Sequence, residues 1–140
     1  MHRLLPILAG AAAAAVLTSC GQGVWLSRSD AIGRAVHEKG VSRISRHEAK
    51  LMSWPDFLRV SKVDATGADG PAWKQKVWLV AVAGDVSLDS PGAHERWVIF
   101  VYNAVTGSQI GHITGPFDET TGDAVGPDWP PDWSSFPDGG

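Results

Sequence analysis

The dipeptide His-Glu occurs three times, beginning at His37, His47 and His94. A zinc-binding helix of the metallopeptidase kind needs a second histidine four residues after the first. Both imidazoles then lie on one helical face, and the glutamate serves as general base. The residues at that spacing are Val41, Leu51 and Val98, so none of the three completes the motif. A Gly-x-Ser-x-Gly nucleophile elbow, a phosphate-binding loop and a dinucleotide fingerprint are also missing from the chain. Asp118, Glu119 and Asp123 fall close together but lack the ligand spacing of a calcium loop, and they read as a solvated loop. Asp64-Ala65-Thr66-Gly67-Ala68-Asp69-Gly70 reads the same way. The sequence therefore nominates no catalytic residue, no metal ligand, no cofactor-binding residue and no cofactor, and the expectation is a protein that is not an enzyme.

One reactive group remains. Cys20 is the only cysteine, so the chain can form no internal disulfide. Residues 1–19 have the layout of a secretory signal: Met1-His2-Arg3 is a short basic start, and residues 4–17 are apolar. That run is short of the roughly 20 apolar residues a permanent membrane helix needs. The residues Leu17-Thr18-Ser19-Cys20 resemble the bacterial lipobox, a leucine and two small residues before the cysteine. The resemblance implies that Cys20 receives a diacylglyceryl thioether, becomes the first residue after cleavage, and is acylated on its new amine. The plainer alternative is an ordinary secretory signal with an incidental cysteine. Two or more acyl chains anchor a protein stably, whereas one does so only marginally. The expected partner at this end is thus a membrane, held through the lipid on Cys20, with the protein on its extracytoplasmic face. Residues 20–27 then form a lipidated tether, in which the six residues 21–26 span about 20 Å at ~3.3 Å per residue. Trp25 within it either dips into the headgroups or packs on its own domain.

Residues 20–140 suffice for one domain with a modest core. Removing residues 1–19 takes away one charge, Arg3, and moves the formal net charge from −3 to −4. Residues 20–62 carry eight basic and four acidic residues, while 118–140 carry six acidic residues and no basic one. Anionic headgroups would attract the basic half, although its charges are scattered and also suit an ordinary solvated surface. No locally concentrated basic patch exists, which argues against a nucleic-acid partner.

The elements follow from capping and periodicity. Ser27 and Asp30 form a helix start, Ile32, Ala35 and Val36 recur at helical spacing, and Gly40 supplies a stop, which predicts a helix over 28–39. Residues 45–54 suit either a short helix or a strand; the strand is preferred, with "FLRVSKV" (57–63) continuing it after a kink at Pro55. "KVWLVAVAGDV" (76–86) and "RWVIFVY" (96–102) are apolar on both faces and read as central strands. Asp89-Ser90-Pro91-Gly92 turns the chain between them. "NAVTG" turns it again at Gly107, and "SQIGHI" returns as a further strand. One helix and an antiparallel meander make an α+β domain over 28–115. Residues 116–140 form an acidic tail rich in proline, with Trp129, Trp133 and Phe136. Its prolines oppose a helix or central strand, and partial packing on the sheet is the favoured reading because tryptophans are usually buried.

The pair "VWLVAVAGDV" and "RWVIFVYNAVTGSQIG" resembles the strands of the PepSY domain, in which a Trp-Val strand precedes one ending in Asp-x-x-Thr-Gly. Here that ending is Asn103-Ala104-Val105-Thr106-Gly107, with asparagine where aspartate is usual; either residue caps the turn. The likeness covers residues 28–113 and leaves out the tail. It implies a helix packed on a small antiparallel sheet, in a membrane-attached module that binds and restrains peptidases, and it brings no catalytic residues. The expected function is a membrane-anchored lipoprotein acting as a non-catalytic protein-binding module that regulates an envelope peptidase. The alternatives are a structural lipoprotein of envelope assembly and a carrier of a small ligand or metal.

Overall fold

A computed structural model describes residues 25–63 and 75–139. The signal segment, Cys20 and the loop 64–70 lie outside the described residues. Helix α1 spans Arg28–Val36; the Ser27 hydroxyl accepts the Asp30 amide at 3.0 Å, and Asp30 sits in the first turn. The helix stops three residues before the expected Lys39. From His37 onward its bonds shorten to three-residue spans, His37 to Arg34 and Glu38 to Ala35. Gly40 then takes φ +95°, and a Cβ there would meet the Ser87 carbonyl oxygen at 2.6 Å.

Strand β1 runs over Val41–Ser53, so the strand reading of residues 45–53 holds and extends further back. The continuation expected over 57–63 is corrected. Trp54–Ser61 is helix α2. Ser53 caps it by accepting the Asp56 amide at 3.2 Å. Pro55 occupies the first turn, where its missing N–H costs nothing, and Lys62 ends the helix at φ 57°. Pro55 thus starts a helix instead of kinking a strand. Trp54 and Phe57, one turn apart, stack at 5.3 Å and face the sheet.

Strands β2 (Lys76–Val86), β3 (Glu95–Asn103) and β4 (Gln109–Thr114) complete a four-stranded antiparallel sheet in the order β1-β2-β3-β4. With two helices, the class is α+β. The β3–β4 turn is built by Asn103, whose side-chain oxygen accepts the amides of Val105 and Thr106 at 2.9 and 3.1 Å; Gly107 takes φ +78°.

Both faces of the sheet are apolar, because alternate residues of β2 and β3 point to opposite sides and nearly all are hydrophobic. Trp78, Val80, Val98 and Phe100 pack under α1, through Ala31, Ala35 and Leu26. The indole of Trp78 donates to the Leu26 carbonyl at 2.7 Å, so this buried donor is paired. Val77, Leu79, Ile99 and Val101 pack under α2 and the tail residues Trp133 and Phe136, which are 4% and 5% exposed.

Replacing Trp78 or Phe100 by alanine should each cost about 3–5 kcal/mol in chemical denaturation, the range for a buried aromatic. Losses under ~1 kcal/mol for both, the size usual for surface positions, would contradict the packing described.

Candidate protein-binding edge

Strand β1 is an outer strand of the sheet. Successive residues of a strand turn their backbone groups to opposite sides, so Leu51, Ala49 and His47 present theirs to the same outer edge. The tail docks there. The Leu51 amide donates to Asp138 Oδ1 at 3.0 Å, and its carbonyl accepts the Gly139 amide at 2.7 Å. The Arg28 guanidinium donates to the Ala49 carbonyl, reaches Asp138 at 3.2 Å, and lies 5.1 Å above the Trp78 ring. The tail end is therefore held on this edge by one main-chain bond, one bond to the Asp138 side chain and flanking charges.

On the face of β1 toward the tail, Arg46, Glu48 and Lys50 alternate as a polar strip. The tail aromatics lie across it. Arg46 sits 3.8 Å from the Trp129 ring centre, and Lys50 Nζ 4.9 Å from that of Trp133. Lys50 also donates to the carbonyls of Trp133 and Phe136 at 2.6 and 2.8 Å, and the Trp133 indole donates to Glu48 Oε1 at 2.9 Å. Hydrogen bonds from Arg46 and then Trp133 hold the Glu48 carboxyl below its usual pKa. Magnitudes rank these contacts. An exposed cation–π or ion pair contributes roughly 0.5–1 kcal/mol, whereas burying an aromatic side chain contributes about 1.5–3 kcal/mol. Burial of Trp133 and Phe136 holds the tail; the polar strip fixes where it lies.

An open groove of about 350 Å³ adjoins this edge between α1, β1 and the chain end, lined by Arg28, Ile32, His47, Lys50 and Asp138 among others. His47 is one of the three His-Glu histidines, and the fold keeps them apart. His37 bonds the Gly33 carbonyl at 2.7 Å at the end of α1, and His94 pairs with Asp85 at 2.8 Å at the base of the β2–β3 hairpin. Asp118 accepts the amides of Thr120 and Thr121 and so shapes a turn, as a solvated loop would. Among the described residues no group of three or more His, Cys, Asp or Glu side chains is placed to hold a metal ion. Sequence reasoning missed the Arg46-Glu48-Lys50 strip, although its alternation was visible. Comparison with protein-family models, with curated proteins and with solved structures gives no match for this chain.

Trp133→Ala should cost about 3–5 kcal/mol, and Arg46→Ala no more than ~1 kcal/mol, in denaturant melts; the reverse order would overturn the ranking. Acid adds a smaller effect. Because the Glu48 pKa is lowered on folding, its contribution is present above 4.5 and is lost as pH falls through the lowered value. Tail docking, read by tryptophan fluorescence, should loosen in that acid window, and Glu48→Gln should remove the step.

Proposed function

We propose that the chain is a bacterial lipoprotein, anchored through Cys20 on the extracytoplasmic face of a membrane, whose PepSY-like domain is a non-catalytic protein-binding module that restrains an envelope peptidase. The observation that carries this reading is the main-chain pairing of Gly139 with Leu51. An edge whose outward backbone groups already bond one chain segment, the Leu51 carbonyl to the Gly139 amide, offers the same groups to a partner strand, the mode known as strand addition. Beyond Leu51, toward His47, β1 continues with no strand beside it among the described residues. Arg28, Arg46 and Lys50 line this edge, so the favoured partner segment is extended, acidic and aromatic, as the tail is.

The anchor reading draws support from the N-terminal end of the domain. Trp25 and Leu26 both donate their amides to the Ala104 carbonyl at 3.0 Å, which fixes the chain's entry at the β3–β4 turn. Trp25 is 44% exposed there, five positions from Cys20, and suits a headgroup contact. The β1 edge begins beside this end, where Leu51 pairs with Trp78, and runs from there toward His47.

Cys20→Ala should leave an unprocessed precursor without acyl label; cleavage at the same place with label retained would contradict the anchor. A photo-crosslinker at His47 on intact membranes should capture an envelope peptidase, while one at Gly111 on the opposite outer strand should not. Equal capture from both positions, or none from His47, would contradict the binding edge.

A further inference from the structure

The β2–β3 hairpin closes at the end of the sheet away from Trp25, roughly 27–30 Å along a nine-residue strand at ~3.3 Å per residue. Glu95, the first residue of β3, stands opposite Val86, the last of β2, just beyond a register shift at Ala83. It is 1% exposed, and neither of its carboxylate oxygens has a hydrogen-bond partner among the described residues. Buried polar groups are nearly always bonded, and a buried carboxylate without a partner is strongly disfavoured in its charged form.

Among the described residues, its surroundings offer no cation that is free to answer it. Asp89 from the hairpin connection, His94 beside it and His112 from β4 are the charged or titratable groups acting on it. Each histidine is already engaged: His94 Nδ1 lies 2.8 Å from Asp85 of β2, and His112 Nε2 lies 2.6 Å from Asp89. Arg96, next in sequence, donates to the Gly126 carbonyl. The tail segment reaches this end through the Gly122 carbonyl, which accepts the His94 amide at 2.9 Å, and residues 118–140 hold no basic side chain. Both His–Asp pairs pin the same connection, residues 87–94, at its base and near its tip.

We infer that Glu95 is a proton-binding site that latches the 87–94 connection, which stays closed while Glu95 is neutral and opens when it ionises.

A carboxyl in this position has two ways to avoid an unpaired buried charge: it keeps its proton, or the structure admits water. The connection is the part able to move. Asp89, Ser90, Pro91 and Gly92 are exposed and Ala93 is its one buried residue, whereas Val86 and Val98 are fully buried and hold the strands. Burial first, and the Asp89 carboxylate second, raise the Glu95 pKa above 4.5, against the opposing pull of His94 and His112. The sign follows from linkage. A carboxyl with a raised pKa in the closed form favours closure fully below its ordinary value, and that advantage is lost as pH rises through the raised one. Within that window a single proton changes the opening equilibrium about tenfold per pH unit. Opening bares Glu95 beside Asp85 and Asp89, which are already accessible, and completes an acidic surface at the end of the domain away from Trp25.

Amide exchange of the detergent-solubilised full chain between pH 5 and 8, corrected for intrinsic exchange, tests the latch. Protection of residues 87–94 should fall with rising pH, approaching tenfold per unit over part of the range, while β2 and β3 stay protected. Glu95→Gln cannot ionise and should hold 87–94 protected throughout, with a higher melting temperature than wild type at pH 8. Parallel pH profiles in the two proteins would overturn the proposal. So would wild-type protection of 87–94 that does not change with pH, a result that stands whether or not the variant folds.

Discussion

The two central strands of this sheet are apolar on both faces, and neither face can be left in water. Val77, Leu79, Val80 and Val82 on β2 are all fully buried, and Val101, Phe100 and Val98 on β3 stand opposite the last three. A single helix covers one face only. Helix α1 takes the side of Trp78 and Phe100, and the other side needs a second layer. Helix α2 is too short to supply it alone, with eight residues, so the tail folds back and adds Trp133 and Phe136. The proline-rich segment that follows β4 is thereby part of the core, despite its composition.

That requirement also shapes the outer edge. A bare strand edge invites pairing with other chains, and proteins blunt such edges with bulges, charges or a covering segment. β1 uses all three. A register shift between Ser42 and Arg46 carries Arg43 at φ 52°, the Arg46-Glu48-Lys50 strip adds charge, and Asp138 and Gly139 cover Leu51. The same covering makes the edge selective. Any partner strand must match the charges that hold the tail, or extend along the stretch toward His47. Covering and binding are two uses of one set of backbone groups.

How legible this was in the sequence depended on how local each cause is. β2 and β3 were readable because continuous β-branched and aromatic runs between turn residues have few other solutions, and Asn103 with Gly107 fixed their turn. The start of α1 was readable from Ser27 and Asp30. Helix α2 was misread, since eight residues carry too little periodicity to outweigh a strand-like "FLRV"; the stronger signal was the Ser53-Pro55-Asp56 start. The packing of the tail could only be left as a preference, because it depends on contacts between positions far apart, such as Lys50 with Trp133. Glu95 was legible only as half of a failed metal motif. Its burial follows from the hairpin closing around it, which no neighbouring residue announces.

The tail is a structural layer of the domain, and truncation after Gly115 is the sharpest check of that role. Removing residues 116–140 takes Trp133 and Phe136 off the face formed by Leu79, Ile99 and Val101. A lower melting temperature together with increased binding of a hydrophobic dye is expected. An unchanged melting curve with no added dye binding would contradict it, and would mean that α2 alone suffices to cover that face.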